Sequence, residues 1–140
     1  TQGDSESNTV RNCYALGTLQ APETFGIASK AESLDGPSYC LDVNASTATG
    51  NTITKTATEF RDGTVAWLLG KAFGQKLGVD ASPVLSDGTN RVFMAGGDLR
   101  NASAETCDLL INAIGTVTLE SEEAIQAARA AYDILTLSKR

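Results

Sequence analysis

The chain has no histidine at all, which removes the commonest general base near neutral pH and the commonest ligand of zinc. Aromatic residues make up only 6%, with a single Trp, so a sugar-stacking surface has few side chains to draw on. No apolar run approaches the roughly 20 residues that a membrane-crossing helix needs, and no membrane span is expected in this chain. Basic residues are also scarce, 11 against 17 acidic, and no Lys or Arg cluster offsets the net charge of -6. That balance repels phosphate backbones and argues against nucleic acid as a partner. Cys13, Cys40 and Cys107 contain no C-x-x-C spacing, which argues against a metal cluster. No catalytic, cofactor-binding or metal-binding residues are therefore assigned, and no cofactor is expected. The chain begins at Thr1 without a Met or a charged-then-apolar leader, so it reads as an excised or processed piece of something longer.

What is present is globular in character. Hydrophobic residues make up 41% and charged residues 20% of 140, close to the averages for folded domains and enough for one domain or two small ones. After a polar start, "TQGDSESN", the segments Thr9 to Leu19 and Pro37 to Val43 read as short strands, with Tyr39, Leu41 and Val43 alternating. Each segment sets a Tyr beside a Cys, Cys13 with Tyr14 and Tyr39 with Cys40. Recurrence of that kind suggests related rungs that stack like side chains over one another. Three readings of the cysteines stand open at this point: small apolar core residues, a Cys13 to Cys40 disulfide in an exported protein, or a functional thiol.

The polar stretch 44 to 54 reads as a loop. Thr56 and Glu59 then match a capping box, predicting a short helix to about Asp62 that Gly63 ends. Val65, Leu68 and Leu69 predict a second short helix closed by Gly70. Trp67 and Phe73 are large anchors, read either as covers over the open end of a sheet core or as a sugar-stacking platform. A short strand follows, with Val92 and Met94 on one face. The composition changes near residues 98 to 103. Ser103 is placed to cap a helix carrying Cys107, Leu110, Ile111 and Ile114. Ser121 is placed to cap another, with Glu122 and Glu123 in its first turn and Ile125, Ala128, Tyr132 and Leu135 along one stripe. Two antiparallel helices joined by "GTVTLE" result, each short enough that it must pack on something else.

Acidic pairs such as Asp80 with Asp87, or Glu122 with Glu123, invite an acid-base reading. The second pair suits a helix N-terminus, and the first flanks a Pro-containing turn, so catalysis is not assigned to either. The loop "SDGTN", Ser86 to Asn90, is read as a turn before a calcium site. Asn44-Ala45-Ser46 and Asn101-Ala102-Ser103 have the form of glycosylation sequons; Asn101 is read as part of a helix entry.

Two stretches resemble known families. "VRNCYALGTL" resembles the N-C-Y rung of GLUG-like repeats in secreted and cell-surface proteins of bacteria, with "GIA" at residues 26 to 28 as a degraded match to the turn that follows. Residues 56 to 85, "TATEFRDGTVAWLLGKAFGQKLGVDASPVL", look like the segment that closes such arrays, through F-x-x-G-x-V-A-x-L-L, G-Q-x-x-G and D-x-x-P-V-L, with Phe73 where a Trp is more usual. Residues 111 to 136, "INAIGTVTLESEEAIQAARAAYDILT", are similar to the start of FIVAR-like helical modules of Gram-positive surface proteins.

The resemblance implies a mixed, mainly β fold: short parallel β-solenoid rungs with a small helical cap over residues 1–98, then an antiparallel helical hairpin, an incomplete FIVAR-like module, over 99–140. In that setting Cys13 and Cys40 are packing residues on neighbouring strands. The implied protein is not an enzyme but a fragment of a secreted or wall-anchored bacterial surface protein, a stalk or display region for adhesion. Its expected place is the cell surface or the extracellular space, and its expected partner a host or bacterial glycan or surface protein. The alternative is a carbohydrate-binding accessory region of a secreted glycan-degrading enzyme, for which Trp67, Phe73, Tyr14, Tyr39 and Tyr132 are the candidate platforms. Burial of all five would exclude it.

Overall fold

The computed structural model describes residues 10–17, 27, 35–42, 52–86 and 88–137. Two compact units divide the chain, Thr1–Ala57 and Thr58–Arg140. The composition change at residues 98 to 103 falls inside the second unit.

In the first unit, β1 (Tyr14–Ala15), β2 (Ser38–Leu41) and β3 (Thr52–Lys55) form a parallel sheet in that order. The register stacks Tyr14, Tyr39 and Ile53 in one row and Ala15, Cys40 and Thr54 in the next. As the central strand, β2 is covered on both faces: Ser38, Tyr39 and Cys40 are all buried. An Arg11–Asp35 ion pair at 2.6 Å and an Asp35 N–H donated to the Val10 carbonyl tie the chain before β1 to the chain before β2.

The second unit starts with two helical turns, α1 (Ala57–Arg61) and α2 (Thr64–Leu69). Gly63 separates them at φ 95°, a backbone conformation that side chains other than glycine rarely adopt. A Cβ there would also lie 2.5 Å from Leu77 Cδ2, so that leucine side chain would have to shift. Phe60, Val65, Ala66 and Leu69 turn inward, whereas Trp67 and Leu68 face solvent. The buried anchors of this segment are therefore Phe60 and Val65, whereas Trp67 keeps 40% of its surface in water. Next come β4 (Phe73–Gly74) and β5 (Val84–Leu85), paired antiparallel, and the hairpin β6 (Val92–Ala95) with β7 (Asp98–Asn101). Gly96 and Gly97 join that hairpin with positive φ at both positions, the two-residue turn whose twist matches paired strands.

The helices α3 (Ala104–Ile114) and α4 (Glu122–Leu137) pack on each other, and α4 packs on β6. Phe93, Ala95, Cys107, Ala127 and Ala131 form the shared core, with Leu110, Ile134 and Leu135 against it. Ala127 and Ala131 of α4 form this core with Phe93 and Ala95 of the hairpin. Strand β6 consequently buries Phe93 and Ala95 on its helix side; Val92 is buried from the other side, close to where a Cβ on Gly63 would sit, and Met94 is exposed. Val92 and Met94 thus share the face of β6 opposite Phe93 and Ala95, as their alternation predicts, but only Val92 is covered there.

The mainly β solenoid expectation is overturned. Among the described residues 37% are helical and 23% in strands, so helix outweighs sheet. Among those residues parallel pairing stops at three strands, and the remaining sheets are two separate antiparallel pairs. The reason is local: "VFMAGGDLRN" carries its own tight turn, so β6 satisfies its backbone by folding onto β7 instead of stacking on the next rung. Residues 44 to 46, Gly26, Ala28 and Asp87 lie outside the described residues, as do the readings placed on them.

Candidate functional site

The segment with the most distinctive motifs, residues 56 to 85, is organised around Gln75. Its side chain is fully buried. Nε2 donates toward the carbonyls of Phe60 at 2.8 Å, Arg61 at 2.9 Å and Asp80 at 3.1 Å. The first two belong to the last turn of α1, where helix carbonyls lack partners within the helix. Gln75 thus caps α1 from 14 and 15 residues downstream and ties the same point to the turn at Asp80. Three converging acceptors also settle the orientation of the amide, because the flipped form would set Oε1 against three carbonyl oxygens.

The neighbouring polar residues bind backbone in the same way. Asp80 Oδ2 accepts the Lys76 N–H at 2.6 Å, which closes the "QKLGVD" turn. Asn101, at the end of β7, accepts the Leu77 N–H at 2.9 Å and donates to the Gln75 carbonyl at 2.6 Å and the Asn90 carbonyl at 3.2 Å. It links two hairpins as the last residue of β7, and the helix entry expected there falls instead at Ser103. Pro83 is fully buried. Gly74 lies against the neighbouring turn so closely that a Cβ would stand 2.5 Å from the Thr89 carbonyl oxygen. The G-Q-x-x-G and D-x-x-P-V-L signatures are thus the parts of a backbone-bonded knot. Sequence reasoning quoted Gln75 without a role; its signal was a lone amide between two short apolar elements.

The other candidates are dispersed. The Glu122 carboxylate accepts from Gln126 at 3.0 Å on the outside of α4, and Asp80 is engaged with Lys76. Cys13 is half-buried and its thiol donates to Ser38 Oγ at 3.3 Å. All three cysteines are free. Cys13 stands one residue before the Tyr14–Tyr39 row and Cys40 one residue after it. At about 3.3 Å per residue along a strand and 4.8 Å between strands, their Cα atoms are about 8 Å apart, beyond disulfide reach. Burial pushes the Cys40 thiol up, and the nearby Asp42 adds to this. A thiol held protonated is a poor nucleophile, so Cys40 is a packing residue, as is Cys107 in the second core. Burial likewise pushes the Tyr39 phenol up, with Lys55 partly offsetting it. Among the described residues no three His, Cys, Asp or Glu side chains gather as metal ligands.

Of the aromatic candidates, Tyr39 is buried at 4% exposure, Tyr14 and Phe73 are half-buried, and Trp67 and Tyr132 stand open at 40% and 58%. Two grooves accompany them in the second unit. One is polar and open, lined by Asp62, Thr64, Met94, Asp98 and Arg100. The other, about 330 Å³ and mostly apolar, lies along α3 and α4 between Ile111, Ala128, Arg129, Tyr132 and Asp133. Among the described residues no helix is long and apolar enough to cross a membrane. Comparison with protein-family models, curated proteins and solved structures yields no match for this chain.

Proposed function

We propose that the chain is a non-catalytic part of a secreted or wall-anchored bacterial surface protein, a stalk or display region in adhesion. A host or bacterial glycan or surface protein is its partner. The observation that carries this reading is the division of labour among its side chains. Gln75 and Asp80 of the signature segment, with Asn101 of β7, are spent on holding backbone turns. Large apolar side chains, by contrast, are turned to solvent: Trp67, Leu109, Ile111, Leu119 and Tyr132. Exposed apolar surface on a well-bonded frame suits recognition of a partner. The resemblance of residues 10 to 19, 56 to 85 and 111 to 136 to modules of bacterial surface proteins supports the same reading.

The direct test is adherence of beads coated with the chain to epithelial cells and to bacteria, with a glycan panel assayed for binding and for turnover in parallel. Adherence without turnover is expected. Release of sugar from any glycan, lost on Asp80→Asn, would refute the non-catalytic reading. The exposure of Trp67 and Tyr132 favours a second reading, carbohydrate binding as an accessory to a glycan-degrading enzyme. In that case Trp67→Ala or Tyr132→Ala abolishes binding to a defined oligosaccharide, which a protein-binding display region would not show.

A further inference from the structure

We propose that the outer face of α3 and α4 is a self-association surface, on which a second copy of this chain seats with its α4 antiparallel to the first. Ile111 and Tyr132 leave 49% and 58% of their surfaces in water, and they line one groove with Ala128, Arg129 and Asp133. On α4 the residues 125, 128 or 129, and 132 recur at helical spacing, so Ile125, also exposed, continues the same stripe.

A second copy is the occupant because the groove is complementary to itself. An interface with twofold symmetry must present both halves of every contact on one surface. This groove has a small residue, Ala128, one turn from a large one, Tyr132, and a cation, Arg129, one turn from an anion, Asp133. Two α4 helices running antiparallel about an axis beside residues 130 and 131 set each Tyr132 over the partner's Ala128. The same arrangement brings each Arg129 beside the partner's Asp133. Within one chain the Arg129–Asp133 pair is long, 3.9 Å, with side chains 80% and 58% exposed, a geometry that contributes little by itself. Across the axis the two ions meet twice, next to an apolar strip. The patch is neutral although the chain carries a net charge of -6, so repulsion between copies is not focused on it. An interface of one helix pair is small, and dissociation constants between about 10 µM and 1 mM match such contacts.

Analytical ultracentrifugation of the 140-residue chain over that concentration range tests the proposal. The weight-average mass should rise from 14.6 kDa toward twice that value. Arg129→Asp sets two acids against each other across the axis and Asp133→Arg sets two bases, so each variant alone stays monomeric. An equimolar mixture of the two restores both contacts, because the acid introduced at position 129 of one chain then meets the base introduced at position 133 of the other, and dimers return. Restoration in the mixture cannot come from the intrachain pair, which stays repulsive in both variants. Both positions are exposed, and far-UV circular dichroism should show the same helix content throughout. Wild-type chain that stays monomeric up to about 1 mM, single variants that dimerise like the wild type, or a mixture that stays monomeric would each overturn the proposal. The first of these would assign the groove to a different partner.

Discussion

Replacing Gln75 tests whether the signature segment is a structural knot. In Gln75→Ala, the carbonyls of Phe60, Arg61 and Asp80 lose a donor held at 2.8 to 3.1 Å. The amide has two protons to share among them, so two hydrogen bonds are the net loss. A buried acceptor left without a partner costs about 1–3 kcal/mol, and the cavity left by the side chain adds to this. A loss of about 4 kcal/mol is expected, a large part of the stability of an ordinary domain. Urea unfolding followed by Trp67 fluorescence reads it, as a midpoint lower by about 2 M for a slope near 2 kcal/mol/M.

Gln75→Glu sharpens the test. Its carboxylate would face the same carbonyl oxygens, so its folded pKa is raised above the unfolded value of about 4.3. Protonated below that value, the side chain recovers one donor. The stability gap to the wild type is then smallest in acid, widens as pH rises through the folded pKa, and levels off above it. A cost under about 1 kcal/mol for Gln75→Ala, or a gap for Gln75→Glu that widens in acid, would refute the capping role.

Other outcomes follow from the same structure. Gly74→Ala, which drives a Cβ against the Thr89 carbonyl, should cost about 3 kcal/mol by urea melts. Gly78→Ala has open space and only a φ of 78° to contend with, and should cost about 1 kcal/mol. Ser103 accepts the Thr106 N–H at 3.0 Å as the cap of α3; Ser103→Ala should cost about 1 kcal/mol. In timed alkylation with iodoacetamide, Cys13 should react first, with Cys40 and Cys107 protected until unfolding; equal rates would contradict the core assignment. Because burial raises both Tyr39 and Cys40 in the fold, their neutral forms are favoured there. Stability of the first unit is therefore full below about pH 8 and falls as pH rises past the unfolded thiol and phenol values. Exchange of the β2 amides by NMR would detect this, and a rise in protection above that pH would be the wrong sign.

Local sequence signals located most elements of the second unit. Gly63 and Gly70 end α1 and α2 because the chain turns there through positive φ, which side chains other than glycine rarely adopt. Ser103 starts α3 because its hydroxyl meets an amide within one turn. The Cys13-Tyr14 and Tyr39-Cys40 neighbourhoods do lie side by side, since parallel strands of like pattern stack. What short-range pattern could not supply was how the elements pair. Whether β6 stacks on a rung or closes on β7 depends on the two positive-φ glycines between them. Whether Trp67 or Val65 is the anchor depends on which side of α2 another strand covers.

By itself, then, the amino-acid order determined where the helices of the second unit begin and end, and that no histidine is available to any site. Those are properties of residue types and of bonds a few positions long. The tertiary structure alone decided that Gln75 caps a helix 14 residues upstream, that Asn101 joins two hairpins, and that Ile111 and Tyr132 border one groove. Each depends on contacts between residues distant in the chain, whose energies arise only once folding has brought them together.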